Sequence, residues 1–127
     1  MKNKIVSTIA IITLIFQFSC TPETPTDLTK TSFIPKPVSV TPTGKSFAIK
    51  ESTTIFVQEE LYKTGEYLAA EINKISGLAL AVQTSEQNPK NGIGISLSEE
   101  NENLGAEGYK LSIDKKQLNI SAKTPAG

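Results

Sequence analysis

The side chains in this sequence that could do chemistry are almost all carboxylates. The chain has no histidine and no tryptophan, its sole cysteine is Cys20, and its 13 basic residues, all lysines, equal its 13 acids in number. Without histidine, the sequence lacks the usual general base near neutral pH and any Ser-His or Cys-His pair for nucleophilic catalysis. A single cysteine makes neither an intrachain disulfide nor a thiolate metal cluster. Acid–base catalysis would therefore fall to Asp and Glu.

Two motifs could bind ions, but a solvated loop explains one of them better and strand packing explains the other. Residues 99–103 are rich in Glu and Asn, but they lack the Asp-x-Asp-x-Asp-Gly spacing of a calcium loop, which favours a solvated loop. Gly92 and Gly94 precede neither a Gly-Lys-Ser motif nor a predicted helix, so tight strand packing is favoured over a phosphate cradle. The sequence predicts no metal site, no cofactor and no catalytic residue.

Sugar contacts and glycosylation are the remaining candidates. Tyr62, Tyr67 and Tyr109 could stack on sugar rings, although their spacing suits packing at the edge of the core at least as well. Asn119-Ile120-Ser121 matches the N-glycosylation sequon but falls in a predicted strand, and we interpret it as a coincidence. Scattered lysines and few aromatic residues exclude nucleic acid as a partner.

Residues 1–19 predict a lipoprotein signal peptide. Lys2 and Lys4 precede the apolar run from Ile5 to Phe18, which is shorter than the roughly 20 residues of a spanning helix. The run ends in Phe18-Ser19-Cys20, which resembles a bacterial lipobox and predicts acylation of Cys20. We expect an exported protein, lipid-anchored at the outer membrane or on the periplasmic face. The alternative is an ordinary secretory signal with an incidental cysteine.

Residues 20–32 predict a flexible tether between the lipid and a folded domain, because Thr and Pro are abundant there and little can be buried. Removal of Lys2 and Lys4 leaves 11 lysines against 13 acids, a net charge of −2. Attachment to the membrane is therefore expected from acyl chains and not from electrostatics.

Residues 33–127 predict one domain, which is all that a chain of this length accommodates. Apolar positions spaced by three and four residues predict a helix over Glu59 to Ser76, with Gly77 as its left-handed stop. Gly65 inside that helix predicts close contact with a sheet. Ser98 to Asn103 is expected to be a polar loop. Short alternating runs predict six strands, around Phe47 and Ile49, Thr54 to Val57, Leu80 to Thr84, Ile93 to Leu97, Tyr109 to Ile113, and Leu118 to Ser121.

The predicted fold class is α+β, with a mixed, largely antiparallel sheet covered by one main helix. The last two strands form the clearest hairpin, with Asp114, Lys115 and Lys116 in the turn. Because a small domain with one covering helix is marginally stable, part of the sheet is expected to need a partner.

Three segments together resemble the N-terminal, non-catalytic domain of glycoside hydrolase family 20, the β-N-acetylhexosaminidases. They are Ile34-Pro35-Lys36-Pro37, the helix sequence TGEYLAAEINKISG at 64–77, and NLGAEGYKLSIDKKQLNISAKTPAG at 103–127. The last is the most specific, with Glu107-Gly108-Tyr109 followed by an alternating hairpin. The resemblance covers about residues 33–127.

The resemblance implies an accessory domain that precedes a TIM barrel, in which adjacent Asp and Glu residues hydrolyse terminal N-acetylhexosamine. This sequence has no Asp-Glu dipeptide, and a barrel needs about 250 residues. We therefore expect a domain that is truncated relative to the family and inactive alone, with the barrel as its partner. The alternative is a free-standing surface lipoprotein that binds a glycan or a protein.

Overall fold

A computed structural model of the protein describes residues 27–87 and 89–127. The predicted signal peptide, Cys20 and most of the predicted tether lie outside the described residues, so these expectations stay predictions. The end of the tether forms a 3₁₀ turn, Leu28–Lys30. Asp27 Oδ1 accepts hydrogen bonds from the Thr29 hydroxyl at 2.6 Å and the Thr29 N–H at 3.1 Å. These two bonds lower the pKa of Asp27.

One sheet and one main helix make up the domain. The elements are β1 (Thr54–Val57), a 3₁₀ turn (Glu59–Leu61), α1 (Tyr62–Ser76), β2 (Ala81–Thr84), β3 (Gly92–Leu97), a longer 3₁₀ helix (Glu99–Leu104), β4 (Tyr109–Ile113) and β5 (Gln117–Ala122). The five strands lie in the order β2-β1-β3-β5-β4. The predicted α+β class, with a mixed sheet and one main helix, is confirmed. Within the described ranges, no helix has the length and apolarity needed to cross a bilayer.

The expectation of largely antiparallel pairing is wrong. β1 pairs in parallel with β2 and β3, β3 pairs in parallel with β5, and the β4–β5 hairpin alone is antiparallel. A parallel pair needs a long crossover connection, and α1 provides it between β1 and β2. In the sheet, β1 lies between β2 and β3, and β5 lies between β3 and β4, although each of these pairs is consecutive in the sequence. Alternation of apolar residues predicts which face a side chain occupies but not which strand lies beside it.

The segment around Phe47 and Ile49 is not a strand, contrary to prediction. It is irregular, and Phe47 packs against the core from outside the sheet. A local turn follows it: the Lys50 N–H donates to Thr53 Oγ1 and the Thr53 N–H donates to the Lys50 carbonyl, each at 2.9 Å. The predicted polar loop after β3 differs too, since residues 99–103 belong to the 3₁₀ helix Glu99–Leu104.

The predicted helix is confirmed, together with its stop and its contact with the sheet. Gly77 adopts φ 75°, and its N–H donates to the Asn73 carbonyl at 2.8 Å. A Cβ atom on Gly65 would lie 2.9 Å from Cγ1 of both Val57 and Val82, so only glycine lets the helix lie this close. Ile75, predicted on the buried stripe, is 87 % exposed. It is about 80° around the helix from Gly65 at 100° per residue.

The core lies between α1 and the sheet. Its buried members come from β1, β3, the start of the helix and the segment before β2, namely Ile55, Val57, Ile93, Ile95, Leu61 and Leu80. Half-buried apolar side chains of α1, β2 and β5 surround them. The strands predicted at Thr54 to Val57, Leu80 to Thr84 and Ile93 to Leu97 are confirmed, the last two as Ala81–Thr84 and Gly92–Leu97, and so is the closing hairpin.

Candidate functional site

The helix covers only half of the apolar face of the sheet. In the strand register, Ile120 of β5 lies beside Ile95 of β3 and opposite Leu111 of β4, so all three side chains point to the helix face. The helix itself packs over β1 and β2. On β4, Tyr109 is 59 % exposed and Leu111 is 47 % exposed. We define the uncovered apolar face as the exposed Tyr109 and Leu111 together with their half-buried neighbours Ile113, Leu118 and Ile120, of which the last two also pack against the core.

Simple dimensions explain why this half of the sheet is open. Five strands about 4.8 Å apart make a sheet roughly 19 Å wide, and a helix with its side chains is about 10 Å across. One helix therefore covers two or three strands. The side of the sheet that carries β5 and β4 needs a second covering element of similar width to bury its apolar side chains.

The opposite face of the sheet carries small polar residues that form a trough. One row across the strands runs from Gly94 through Asn119 to Ser112, and the next joins Ser96, Ser121 and Lys110. The connection from β2 to β3 forms a wall, so that the trough encloses about 330 Å³.

Asn119 lies at the base of this trough, where its side-chain oxygen is buried and lies close to Gly94. A Cβ atom on Gly94 would lie 2.6 Å from Asn119 Oδ1 and 2.8 Å from Pro89 Cδ. The predicted tight packing at the two glycines is thereby confirmed. Asn119 Oδ1 is buried and accepts no hydrogen bond from the described part of the chain.

The trough offers little acid–base chemistry. Glu86 is the one carboxylate among its described lining residues, and Lys110 is the one cation. A second cavity, of about 310 Å³, has no described carboxylate in its lining. Among residues 27–87 and 89–127, no group of three His, Cys, Asp or Glu side chains could hold a metal ion. Neither cavity therefore brings together the two acidic groups that glycoside hydrolysis usually requires.

The candidate tyrosines do not converge on one site. Tyr62 and Tyr67 lie on different sides of α1, whereas Tyr109 lies on the far edge strand. Tyr67 is 68 % exposed and Tyr109 is 59 % exposed, so neither side chain is buried in the core. Asn119 lies in a strand as predicted. That residues 99–103 are solvated and do not form a calcium loop stays a prediction, because the side chains of residues 100–102 are not described.

The match to a family model decides the family. The description "Glycosyl hydrolase family 20, domain 2" matches residues 30–127. The chain belongs to glycosyl hydrolase family 20.

Two relatives agree with this family 20 assignment. The chain is 32 % identical over 97 residues to a beta-hexosaminidase of Porphyromonas gingivalis, a match that covers 76 % of this chain and 12 % of the relative. The fold matches the GH20 beta-N-acetylhexosaminidase from Streptomyces coelicolor A3(2) with a TM-score of 0.64 and 35 % identity, over 73 % of this chain and 18 % of that one. The family 20 domain thus spans less than a fifth of either relative.

Sequence reasoning missed the polar trough of this family 20 domain. The signal was present in the polar positions of the alternating strands, such as Ser96, Ser112 and Asn119. Alternation predicts which residues of a strand share the polar face. Which polar residues meet depends on the strand order, which differs from the sequence order.

Proposed function

We propose that this family 20 domain is a non-catalytic accessory domain of a β-N-acetylhexosaminidase and that its uncovered apolar face packs against the rest of that enzyme. The observation that carries the proposal is the exposure of Tyr109 and Leu111 on a sheet face whose other half is buried. The relatives supply the candidate occupant, since more than four-fifths of each lies outside the matched region.

The energetics favour an occupied face. Fully burying a Leu-sized side chain contributes about 1.5–3 kcal/mol. Tyr109 and Leu111 lie on the edge strand, where apolar exposure also invites unwanted association. A covering polypeptide would remove both side chains from water and shield this part of the sheet.

The cavities support a non-catalytic role. Glu86 is exposed at the wall of the trough, and no second described carboxylate lines that cavity. Family 20 chemistry relies on adjacent Asp and Glu residues, and this sequence has no such pair. The catalytic groups would therefore come from the barrel of the complete enzyme.

We also propose that the protein is exported and anchored through an acylated Cys20, with residues 20–32 as the tether. This proposal rests on the basic start, the apolar run and the Phe18-Ser19-Cys20 sequence. Anchoring would hold the enzyme at the membrane while the tether allows it to reach glycans nearby.

A chimera tests the docking role. Residues 33–127 would replace the matched segment of the Streptomyces coelicolor enzyme, and Leu111→Lys would be compared with Ser112→Lys, its neighbour on the other face of β4. We expect Leu111→Lys to lower the chimera's Tm by several degrees, since about 2 kcal/mol of apolar burial is lost. Ser112→Lys should leave the Tm within about a degree. Equal effects of the two variants would contradict the proposal.

An activity assay tests the non-catalytic role. Residues 21–127, incubated with a chromogenic N-acetylglucosaminide, should release no product above the rate in buffer. Turnover that disappears in the Glu86→Gln variant would overturn this role. Specific glycan binding by the same fragment, combined with equal Tm values in the chimera, would support the free-standing glycan-binding lipoprotein instead.

A further inference from the structure

The second cavity, of about 310 Å³, lies where β1, β3 and β5 begin. Lys50, Lys115 and Lys116 line it, together with the polar residues Ser52 and Asn91. No Asp or Glu from the described residues lines it. In a chain with equal numbers of lysines and acids, this cavity is a local concentration of positive charge.

The sheet topology is what gathers these lysines. β1, β3 and β5 are parallel neighbours, so their amino ends meet at one edge of the sheet. Lys50 lies four positions before β1, and Lys116 immediately precedes β5. The sequence separates these two residues by more than 60 positions, which is why the lysines look scattered along the chain.

Backbone hydrogen bonds hold the lysine-bearing turns in place. The Gly92 N–H donates to the Lys116 carbonyl at 3.0 Å, which fixes the β4–β5 turn against the start of β3. The reciprocal bonds between Lys50 and Thr53 fix the turn before β1. The Cα positions of the lysines are therefore set by the fold, although their side chains are exposed.

Gly92 keeps the base of the cavity open. Its φ is 101°, in the region that favours glycine, and a Cβ atom there would lie 2.5 Å from the Thr54 carbonyl oxygen. The same atom would lie 3.3 Å from Phe56 Cε2. A side chain at this position would therefore clash with the β1 backbone, so only glycine fits beside the Phe56 ring here.

The protein neutralises the charges around the cavity only in part, since the pKa of Asp114 is lowered first by Lys45 and also by the charge of Lys115. Asp114, the acid next to Lys115 in the sequence, is bound to Lys45 at 2.6 Å. Within the described part of the chain, Lys50, Lys115 and Lys116 form no ion pair. Like charges around one cavity repel, and a bound anion would relieve that repulsion.

We propose that this lysine-lined cavity binds a phosphate group. A lysine ammonium is a compact donor that suits phosphate, and a phosphate monoester carries about −1.5 to −2 charges at pH 7, which complements three lysines better than a single carboxylate does. The group could be carried by a soluble phosphorylated compound or by the headgroup of an anionic lipid. The site is separate from the proposed docking face, since no residue of the uncovered apolar face lines this cavity.

The test is an NMR titration of the ¹⁵N-labelled full chain in zwitterionic detergent micelles. Inorganic phosphate is added while sodium chloride keeps the ionic strength constant. We expect saturable shifts of the amides of Lys50, Asn91 and Lys116, with a Kd on the order of 1 mM. A second series adds phosphatidic acid, whose headgroup is a phosphate monoester, or, as its comparison, phosphatidylcholine to the micelles.

Matched double variants separate a site from general electrostatics. Lys115→Gln combined with Lys116→Gln should weaken phosphate binding about ten-fold, whereas Lys63→Gln combined with Lys123→Gln removes the same charge elsewhere and should leave the affinity unchanged. Competition between phosphatidic acid and phosphate for the same amides would support the site and assign a lipid headgroup as the source. Phosphate binding without a lipid response would support the site and assign a soluble ligand. Non-saturable shifts, or equal losses in the two double variants, would overturn the proposal.

Discussion

Lys45 Nζ lies 2.6 Å from Asp114 Oδ2, joining two residues that are 69 positions apart. The pair ties the segment before β1 to the β4–β5 turn. Close by, the Thr43 hydroxyl donates to the Ile113 carbonyl at 3.4 Å. The Lys45 bond, followed by the bond from the Lys115 N–H, lowers the pKa of Asp114.

The Lys45–Asp114 pair predicts a specific pH dependence. Because the pKa of Asp114 is lower in the folded state, its stabilising contribution is complete above the unfolded pKa of about 3.9 and is lost as pH falls through the folded pKa. In Lys45→Met, the pKa of Asp114 should rise but stay below its ordinary value, since the Lys115 N–H remains. NMR titration of the side-chain carboxyl resonances measures the pKa of Asp114 in the unaltered protein and in the Lys45→Met variant. Asp27 is the internal control, because Thr29 lowers its pKa, and an unchanged Asp114 would contradict the prediction.

Gly65→Ala should destabilise the domain even though alanine favours helices. The added Cβ would lie 2.9 Å from Val57 and Val82, and overpacking of this kind costs about 1–3 kcal/mol. The helix-propensity gain of about 1 kcal/mol opposes this loss. Urea unfolding followed by circular dichroism measures the net free energy change. Thr64→Ala, at the exposed preceding position, should stay within about 0.5 kcal/mol, and a more stable Gly65→Ala variant would mean that α1 does not contact the sheet here.

Two isoleucines provide a matched test of the core. Ile93 is 1 % exposed and Ile75 is 87 % exposed. Ile93→Ala should lower the free energy of unfolding by about 2–5 kcal/mol because it leaves a cavity between α1 and the sheet. Ile75→Ala should change it by less than about 0.5 kcal/mol. Similar losses in the two variants would place Ile75 in the core, as the helical spacing alone predicted.

Cys20→Ser tests the lipid anchor. In cells fed a labelled fatty acid, the unaltered protein should carry the label and partition into the detergent phase, whereas the Cys20→Ser variant should do neither. Ser19→Ala keeps a small residue before the cysteine and should remain labelled. An unlabelled natural protein would favour the ordinary secretory signal.

The helix was predictable because its signals are local. Apolar spacing depends only on 3.6 residues per turn, and Gly77 ends the helix through its own backbone conformation. Strand positions were predictable for the same reason, since alternation follows from the pleat. The exception is the segment around Phe47, which alternates like a strand but has no strand partner.

By itself, the sequence determined the α+β class, the main helix with its stop, the closing hairpin and the resemblance to family 20, because each depends on residues close together in the chain. Tertiary structure decided the parallel pairing, the uncovered apolar face and the two cavities. Strand order places Lys50 beside Lys116 and Gly94 beside Asn119. Local patterns carry no information about such neighbours, since pairing is settled by how the helix and sheet together remove apolar surface from water.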